Sequence, residues 1–308
     1  MRIALFGQAA FGKDTFDALV AAGEQMVGVS TPRQREGARP DPLRVAAEAA
    51  GLPVIETPAL RQPDAFEAYR AWAPDLVVFA FVTDIVRRNV LEVPKHGAIQ
   101  YHPSLLPRHR GRSAMNWSIM AGDATTGLTI FWVDEGIDTG PVLLQREVPI
   151  QPNDTVGSLY FERLYPMGIQ ALADAVRMVR EGTAPRVPQD ESRASYEPPA
   201  GPEHAAIDWS RPGIVVQNHI RGCDPQPGAQ ATLDGGAVGL FGPRFAPGHP
   251  SEPPGTVLAA DEGGRAVLAV IGGTISVERA QPAGGAKVAA AELLRPGARL
   301  ENGRPVAG

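Results

Sequence analysis

The chain has 308 residues, 44% of them hydrophobic and 20% charged, enough to bury one or two ordinary cores. A net charge of −5 offers no broad basic surface to nucleic acid, and the single cysteine, Cys223, excludes an internal disulfide framework or a cysteine-rich metal site. No apolar run approaches the length of a membrane span, and the start lacks a basic stretch followed by an apolar signal segment, so a soluble cytoplasmic protein is expected.

In chain order, residues 2–6 form a short apolar run ending at Gly7, and 16–22 are helical in composition. Residues 26–30 make a second strand candidate, followed by a Pro/Arg/Gly-rich loop and a helical stretch over about 42–50. Residues 75–79 and 98–101 read as further buried strands with helical material between them. Short strands alternating with helices imply a mostly parallel sheet covered on both faces. Residues 128–133 and 142–144 suggest a hairpin-like extension. A long helix is predicted over 155–180, capped by Asn153 and Asp154 and ended by Gly182.

Five prolines (Pro185, Pro188, Pro198, Pro199 and Pro202) interrupt regular structure in 182–206, which reads as a linker. Beyond it, apolar runs at 257–259, 266–271 and 274–277, separated by Gly and Pro, suggest a small β-barrel. The expected organisation is therefore a domain over 1–181, a linker over 182–206 and a barrel domain over 207–308.

Residues 7–14 read Gly-Gln-Ala-Ala-Phe-Gly-Lys-Asp, one residue short of a nucleotide-phosphate loop. Asp14 stands where the magnesium-binding Ser or Thr is required, and no third glycine completes a dinucleotide fingerprint. A tight strand-to-helix turn is expected, with neither ATP nor NAD bound. The six histidines are scattered without metal-ligand spacing, so no metal is expected.

Two loops carry the chemistry. Residues 102–111 read His-Pro-Ser-Leu-Leu-Pro-Arg-His-Arg-Gly, and 131–140 read Phe-Trp-Val-Asp-Glu-Gly-Ile-Asp-Thr-Gly. Each follows an apolar run, so His102 and a carboxylate would sit above a sheet edge. Asp134, Glu135 and Asp138 compete for the role of that carboxylate. These segments resemble the formyltransferases that use 10-formyltetrahydrofolate, especially the hydrolase domain of 10-formyltetrahydrofolate dehydrogenase. The likeness continues through Asn116-Trp117, Asp154-Thr155-Val156, Ile207-Asp208-Trp209 and Arg221-Gly222, and covers roughly 1–230.

The resemblance implies a Rossmann-like domain followed by an OB-like barrel, with 10-formyltetrahydrofolate as formyl donor. It selects Asp138 as the catalytic carboxylate and gives His102 the task of polarising the formyl oxygen. Typical members carry Asn two residues before that His; here Gln100 keeps the amide but extends it by a methylene, so it either donates to the oxyanion from a displaced position or packs at the strand end. The segment Phe79, Ala80, Phe81, Val82 and Thr83 aligns with the family's pterin-receiving loop, although Phe79 fits a core position equally well. Asp134, Glu135 and Gly136 are assigned to the same folate site. Arg108, Arg110 and Arg112 form a basic cluster beside it that would meet a ligand anion or only solvent. Trp117 reads as core and Cys223 as a structural thiol.

For the acceptor, a small-molecule amine or hydroxylamine is expected ahead of water and methionyl-tRNA. The chain shows no counterpart of the further regions that accompany the hydrolase domain in the dehydrogenase. A folate-binding protein without catalysis is the reading from a different class.

Overall fold

The computed structural model describes residues 1–82 and 84–304, which divide into two packed units. The first comprises 1–111, 127–147 and 162–196, and the second 112–126, 148–161 and 197 onward.

In chain order the first half builds β1 (Arg2–Gly7), α1 (Ala9–Ala21), β2 (Gln25–Thr31), α2 (Pro42–Ala49), β3 (Val54–Glu56), α3 (Pro63–Ala71), β4 (Leu76–Ala80), α4 (Arg88–Leu91), β5 (Ala98–His102), α5 (Ala114–Met120), β6 (Thr125–Trp132) and β7 (Val142–Pro149). Among the described residues the sheet has seven strands in the order β3-β2-β1-β4-β5-β6-β7. The pairs from β3 to β5 are parallel, and β6 runs antiparallel to β5.

The apolar runs are continuous because both faces are covered. Ile3 and Leu5 of β1 and Leu76 and Val78 of β4 join one core with Phe11, Leu19, Leu43 and residues 171–179. Ala4, Phe6, Val77 and Phe79 face the other way and pack with Tyr69 and Val90. This period of two is what a strand buried on both sides requires. Strand order reverses between β1 and β4, the switch point outside whose carboxyl ends ligands bind in open α/β sheets.

At that point the β1–α1 turn is tight, as expected. A Cβ on Gly7 would lie 2.7 Å from the Ala80 carbonyl oxygen. The first amide of α1, Ala9 N–H, donates to Asp41 Oδ2 at 2.8 Å, and Asp41 Oδ1 accepts from Leu43 N–H at 2.9 Å. One carboxylate thus caps two helices where a phosphate loop would place its anion. Gly7→Ala should destabilise the protein by about 1–3 kcal/mol, because the atom it meets is backbone. An unchanged denaturation midpoint would show that β1 and β4 can separate at no cost.

The helix expected over 155–180 is present as a continuous helical run, α6 (Val156–Leu159) and α7 (Tyr165–Arg180) with a π turn over Tyr160–Leu164 between them. Pro166 explains the π turn, since it has no N–H to donate to residue 162. The cap is Thr155, which forms a capping box with Ser158, and not Asn153 or Asp154. At the far end Gly182 adopts φ +71, and Thr183 N–H closes on the Met178 carbonyl at 2.9 Å, as Gly182 was expected to allow.

The second unit contains α8 (Gly213–Gly222), which the strand-only expectation missed. Among the described residues its sheets are two sets of four antiparallel strands: β8 (Ala229–Leu233), β9 (Gly236–Phe241), β14 (Arg279–Pro282) and β15 (Val288–Ala289) in one, and β10 (Arg244–Pro247), β11 (Val257–Ala260), β12 (Ala266–Val270) and β13 (Gly273–Val277) in the other. They share a core with Trp209, Val216 and Ile220. Burial pushes the Cys223 thiol up to about 12, with Asp224 adding to the effect, so it stays a protonated core group. No helix among the described residues is long and apolar enough to cross a membrane.

Candidate active site

Strand β5 delivers the first two groups. Ile99 and Tyr101 belong to the large core, so alternation turns Gln100 and His102 to the opposite face. His102 is 4% exposed. Its Nε2 lies 2.8 Å from the His109 carbonyl oxygen, a group that only accepts, so Nε2 carries a proton. Its Nδ1 faces Asp138 Oδ2 at 3.5 Å.

The loop that carries His109 is braced from beneath. Thr129 Oγ1 donates to the Ser104 carbonyl at 2.7 Å and accepts from Leu106 N–H at 3.1 Å. Gln145 Nε2 donates to the Leu106 carbonyl and to Thr129 Oγ1. Two side chains of β6 and β7 thereby fix the height of the loop above the sheet.

The loop between β6 and β7 brings Asp138 to meet His102. Asp138 is 8% exposed and sits at φ +55, a left-handed conformation that a non-glycine residue adopts only when its surroundings enforce it. Its Oδ2 accepts from Gly111 N–H at 2.8 Å, and Gln100 Nε2 approaches Oδ1 at 3.5 Å. Imidazole, carboxylate and carboxamide thus converge in one place. Both 3.5 Å approaches are longer than the 2.7–2.9 Å of a well-formed charge-assisted hydrogen bond. That slack leaves Nδ1 and the Gln100 amide able to turn toward a third group.

The remaining acidic-loop residues shape the turn. Asp134 Oδ1 accepts from Gly136 N–H at 3.0 Å and from Thr139 Oγ1 at 2.7 Å. A Cβ on Gly136 would collide with the Thr139 hydroxyl. Glu135 pairs with Arg88 at 2.7 Å on the surface. Of the β4 segment, Phe79 packs edge-on against Phe6 at 5.0 Å and is core, Ala80 is buried, and Phe81 stands 45% exposed at φ +62. Val82 is partly buried, and Thr83 lies outside the described residues. Of the basic cluster, Arg110 is buried and commits its guanidinium to Glu191 at 2.6 and 2.9 Å.

Sequence reasoning missed the segment that closes the site from outside. Residues 187–196, read as part of a linker, pack within the first unit. Val187 pairs with Val142, and Gln189 Nε2 donates to the Asp138 and Gly140 carbonyls at 2.8 and 2.7 Å. Arg110 N–H donates to the Ser195 carbonyl at 3.0 Å, and His109 N–H to Ser195 Oγ at 2.8 Å. Nothing in the local sequence marks Gln189, because its partners lie about fifty residues away.

An open cavity of about 450 Å³ lies elsewhere in this unit, beside Lys95, His96, Trp132 and Arg186, and includes none of the three convergent groups. Among the described residues no cluster of His, Cys, Asp or Glu has the makings of a metal site.

Comparison with known proteins defines the class. Residues 1–176 match the formyl transferase family, and residues 200–296 match the formyl transferase C-terminal domain. The chain is 44% identical over 247 residues to the mitochondrial 10-formyltetrahydrofolate dehydrogenase of Mus musculus, a match covering 79% of the chain and 27% of that protein. It spans little more than a quarter of the length of such relatives. Against the methionyl-tRNA formyltransferase of Geobacillus thermodenitrificans it is 35% identical over 307 residues, covering 98% of the chain and 96% of that enzyme. In fold it resembles HypX from Aquifex aeolicus in complex with tetrahydrofolic acid, with a TM-score of 0.70 at 20% identity over 96% of this chain and 47% of that one. An N-formyltransferase from Helicobacter canadensis gives 0.69 at 18% identity over 89% and 98%. The chain belongs to the formyl transferase family, a family of enzymes.

Proposed function

We propose that this protein takes the formyl group from 10-formyltetrahydrofolate and passes it to a small-molecule amine or hydroxylamine. The observation that carries this reading is the convergence of His102, Asp138 and Gln100 within 3.5 Å contacts at the end of β5. The amino-terminal region 1–181 holds the chemistry, and the carboxyl end of β4 receives the pterin through backbone groups of Phe79, Ala80, Phe81 and Val82, since the Phe79 ring is core. Asp134, Glu135 and Gly136 belong to the same proposed folate site through the turn they build.

The nucleophile's lone pair attacks the formyl carbon, and the carbonyl π pair moves to oxygen. His102, as the imidazolium held opposite the Asp138 carboxylate, keeps Nε2–H on the His109 carbonyl and donates Nδ1–H to that oxyanion, and the Gln100 amide adds a second donor. Preorganised donors of this kind are each worth about 10²–10³ in rate. Asp138 takes the proton released by the nucleophile. The oxyanion's lone pair then re-forms the carbonyl, the C–N10 bonding pair goes to N10, and Asp138 passes the proton to N10 to give tetrahydrofolate.

One observation favours water as acceptor. Identity is 42–44% to several dehydrogenases, whose hydrolase domain this chain resembles, against 35% to the methionyl-tRNA enzyme. Incubation with formyl-labelled donor separates the readings. Label recovered on an added amine supports transfer, and label recovered only as formate reassigns the acceptor to water.

A tRNA acceptor is disfavoured by charge. Residues 201–308 hold nine Lys and Arg against ten Asp and Glu, a net of −1, and the whole chain is −5. Phosphate contacts need a basic surface. Charged initiator tRNA should therefore accept formyl poorly at every salt concentration. Efficient transfer that weakens steeply as salt rises would restore the tRNA reading.

A further inference from the structure

We infer that Gln189 is a positioning residue that sets the reach of the Asp138 carboxylate toward His102. This rests on the proposed role of that pair.

Gln189 bonds both the Asp138 loop and Arg110. Its amide nitrogen donates to the backbone carbonyls of Asp138 and Gly140, at 2.8 and 2.7 Å, and its Oε1 accepts from Arg110 at 2.8 Å. The orientation of the amide is therefore unambiguous: two acceptor-only carbonyls lie on one side and a donor-only guanidinium on the other. Arg110 is in turn fixed by Glu191, whose carboxyl it holds below the usual range through their hydrogen bonds. Arg110 adjoins His109, which accepts from His102, and Gly111, which donates to Asp138.

The consequence follows from the backbone at Asp138. At φ +55 the residue is held in a sparsely populated well, and relaxation would swing its carboxylate away. Gly140 leaves little room for such a swing, because even a single side-chain carbon there would collide with the Trp132 carbonyl oxygen. Two hydrogen bonds from a single amide bracket the residues on either side of Thr139 and hold the peptide in place. Misplacement of a reacting group by about an ångström costs on the order of 10²-fold in rate.

The test is Gln189→Glu, nearly the same shape, which keeps a partner for Arg110 but replaces the two donated hydrogen bonds with a carboxylate facing two carbonyls. It should lower kcat about 10- to 100-fold with little change in KM for formyl-folate. In an Asp138→Asn background the same substitution should add almost nothing, because both act through one carboxylate. Full multiplicative loss in the double variant, or wild-type kcat in the single one, would overturn the inference. A readout independent of activity separates this from failure of the functional reading. The His102 ring titration, followed by NMR in the full chain, should differ between wild type and Gln189→Met, which removes both donated hydrogen bonds without adding a charge. An identical titration would reject the positioning role even where the substrate assignment is wrong, and a changed one upholds it.

Discussion

His102→Ala and Asp138→Asn should each lower turnover of 10-formyltetrahydrofolate by at least about 10²-fold, because each removes a group acting only as charge develops on the formyl oxygen and the nucleophile. Folate affinity should change little, since neither group is proposed to contact the pterin. The double variant should lose far less than the product of the single effects. Without the imidazole there is no developing charge pair for Asp138 to balance, and without Asp138 the ring loses the partner that faces Nδ1 at 3.5 Å. Steady-state kinetics of the four proteins measure this. Near-normal turnover in either single variant would remove that residue from the mechanism.

The Gln100 amide should matter nearly as much. Its nitrogen stands 3.5 Å from Asp138 Oδ1, too far for a strong bond in this state and near enough to reach a shared substrate oxygen. If it does, Gln100→Leu should raise the activation barrier by about 1.5–4 kcal/mol, the range for losing a hydrogen bond to a developing charge. Gln100→Asn tests reach directly, because it keeps the donor but withdraws it. A silent Leu variant would leave His102 as the sole donor and favour a hydrolase-type site.

The sheet was legible because its strands are buried on both faces. The run at β4, Leu76–Ala80, is apolar throughout, and only a strand covered by helices on each side reads that way. α8 was hidden for the opposite reason. Ile214, Val215 and Val216 are β-branched and Gly213 and Gly222 flank the run, so propensity argued against a helix. Burial of Val216, Gln217, Ile220 and Arg221 overrides it, and that packing is not a local property. The π turn after α6 was in principle readable from Pro166, which lies inside the predicted helix.

The site shows the same division. His102 and Asp138 each lie in a distinctive loop sequence, so their candidacy could be read directly. Their mutual approach depends on Asp138 at positive φ, on Gly111 and on the strap from Val187 to Tyr196, none of which leaves a sequence signal. Arg110 illustrates the limit: a basic residue beside a candidate site suggests a ligand contact, yet it is spent on Gln189 and Glu191.

A single-turnover experiment reads out whether these residues act on the formyl carbon of a folate. With the protein in excess over 10-formyltetrahydrofolate labelled at that carbon, the label should leave the folate rapidly in the wild type and at least about 10²-fold more slowly in His102→Ala. Label that stays on the folate in the wild type, in water and with amines supplied, would show that these residues do not act on the formyl carbon.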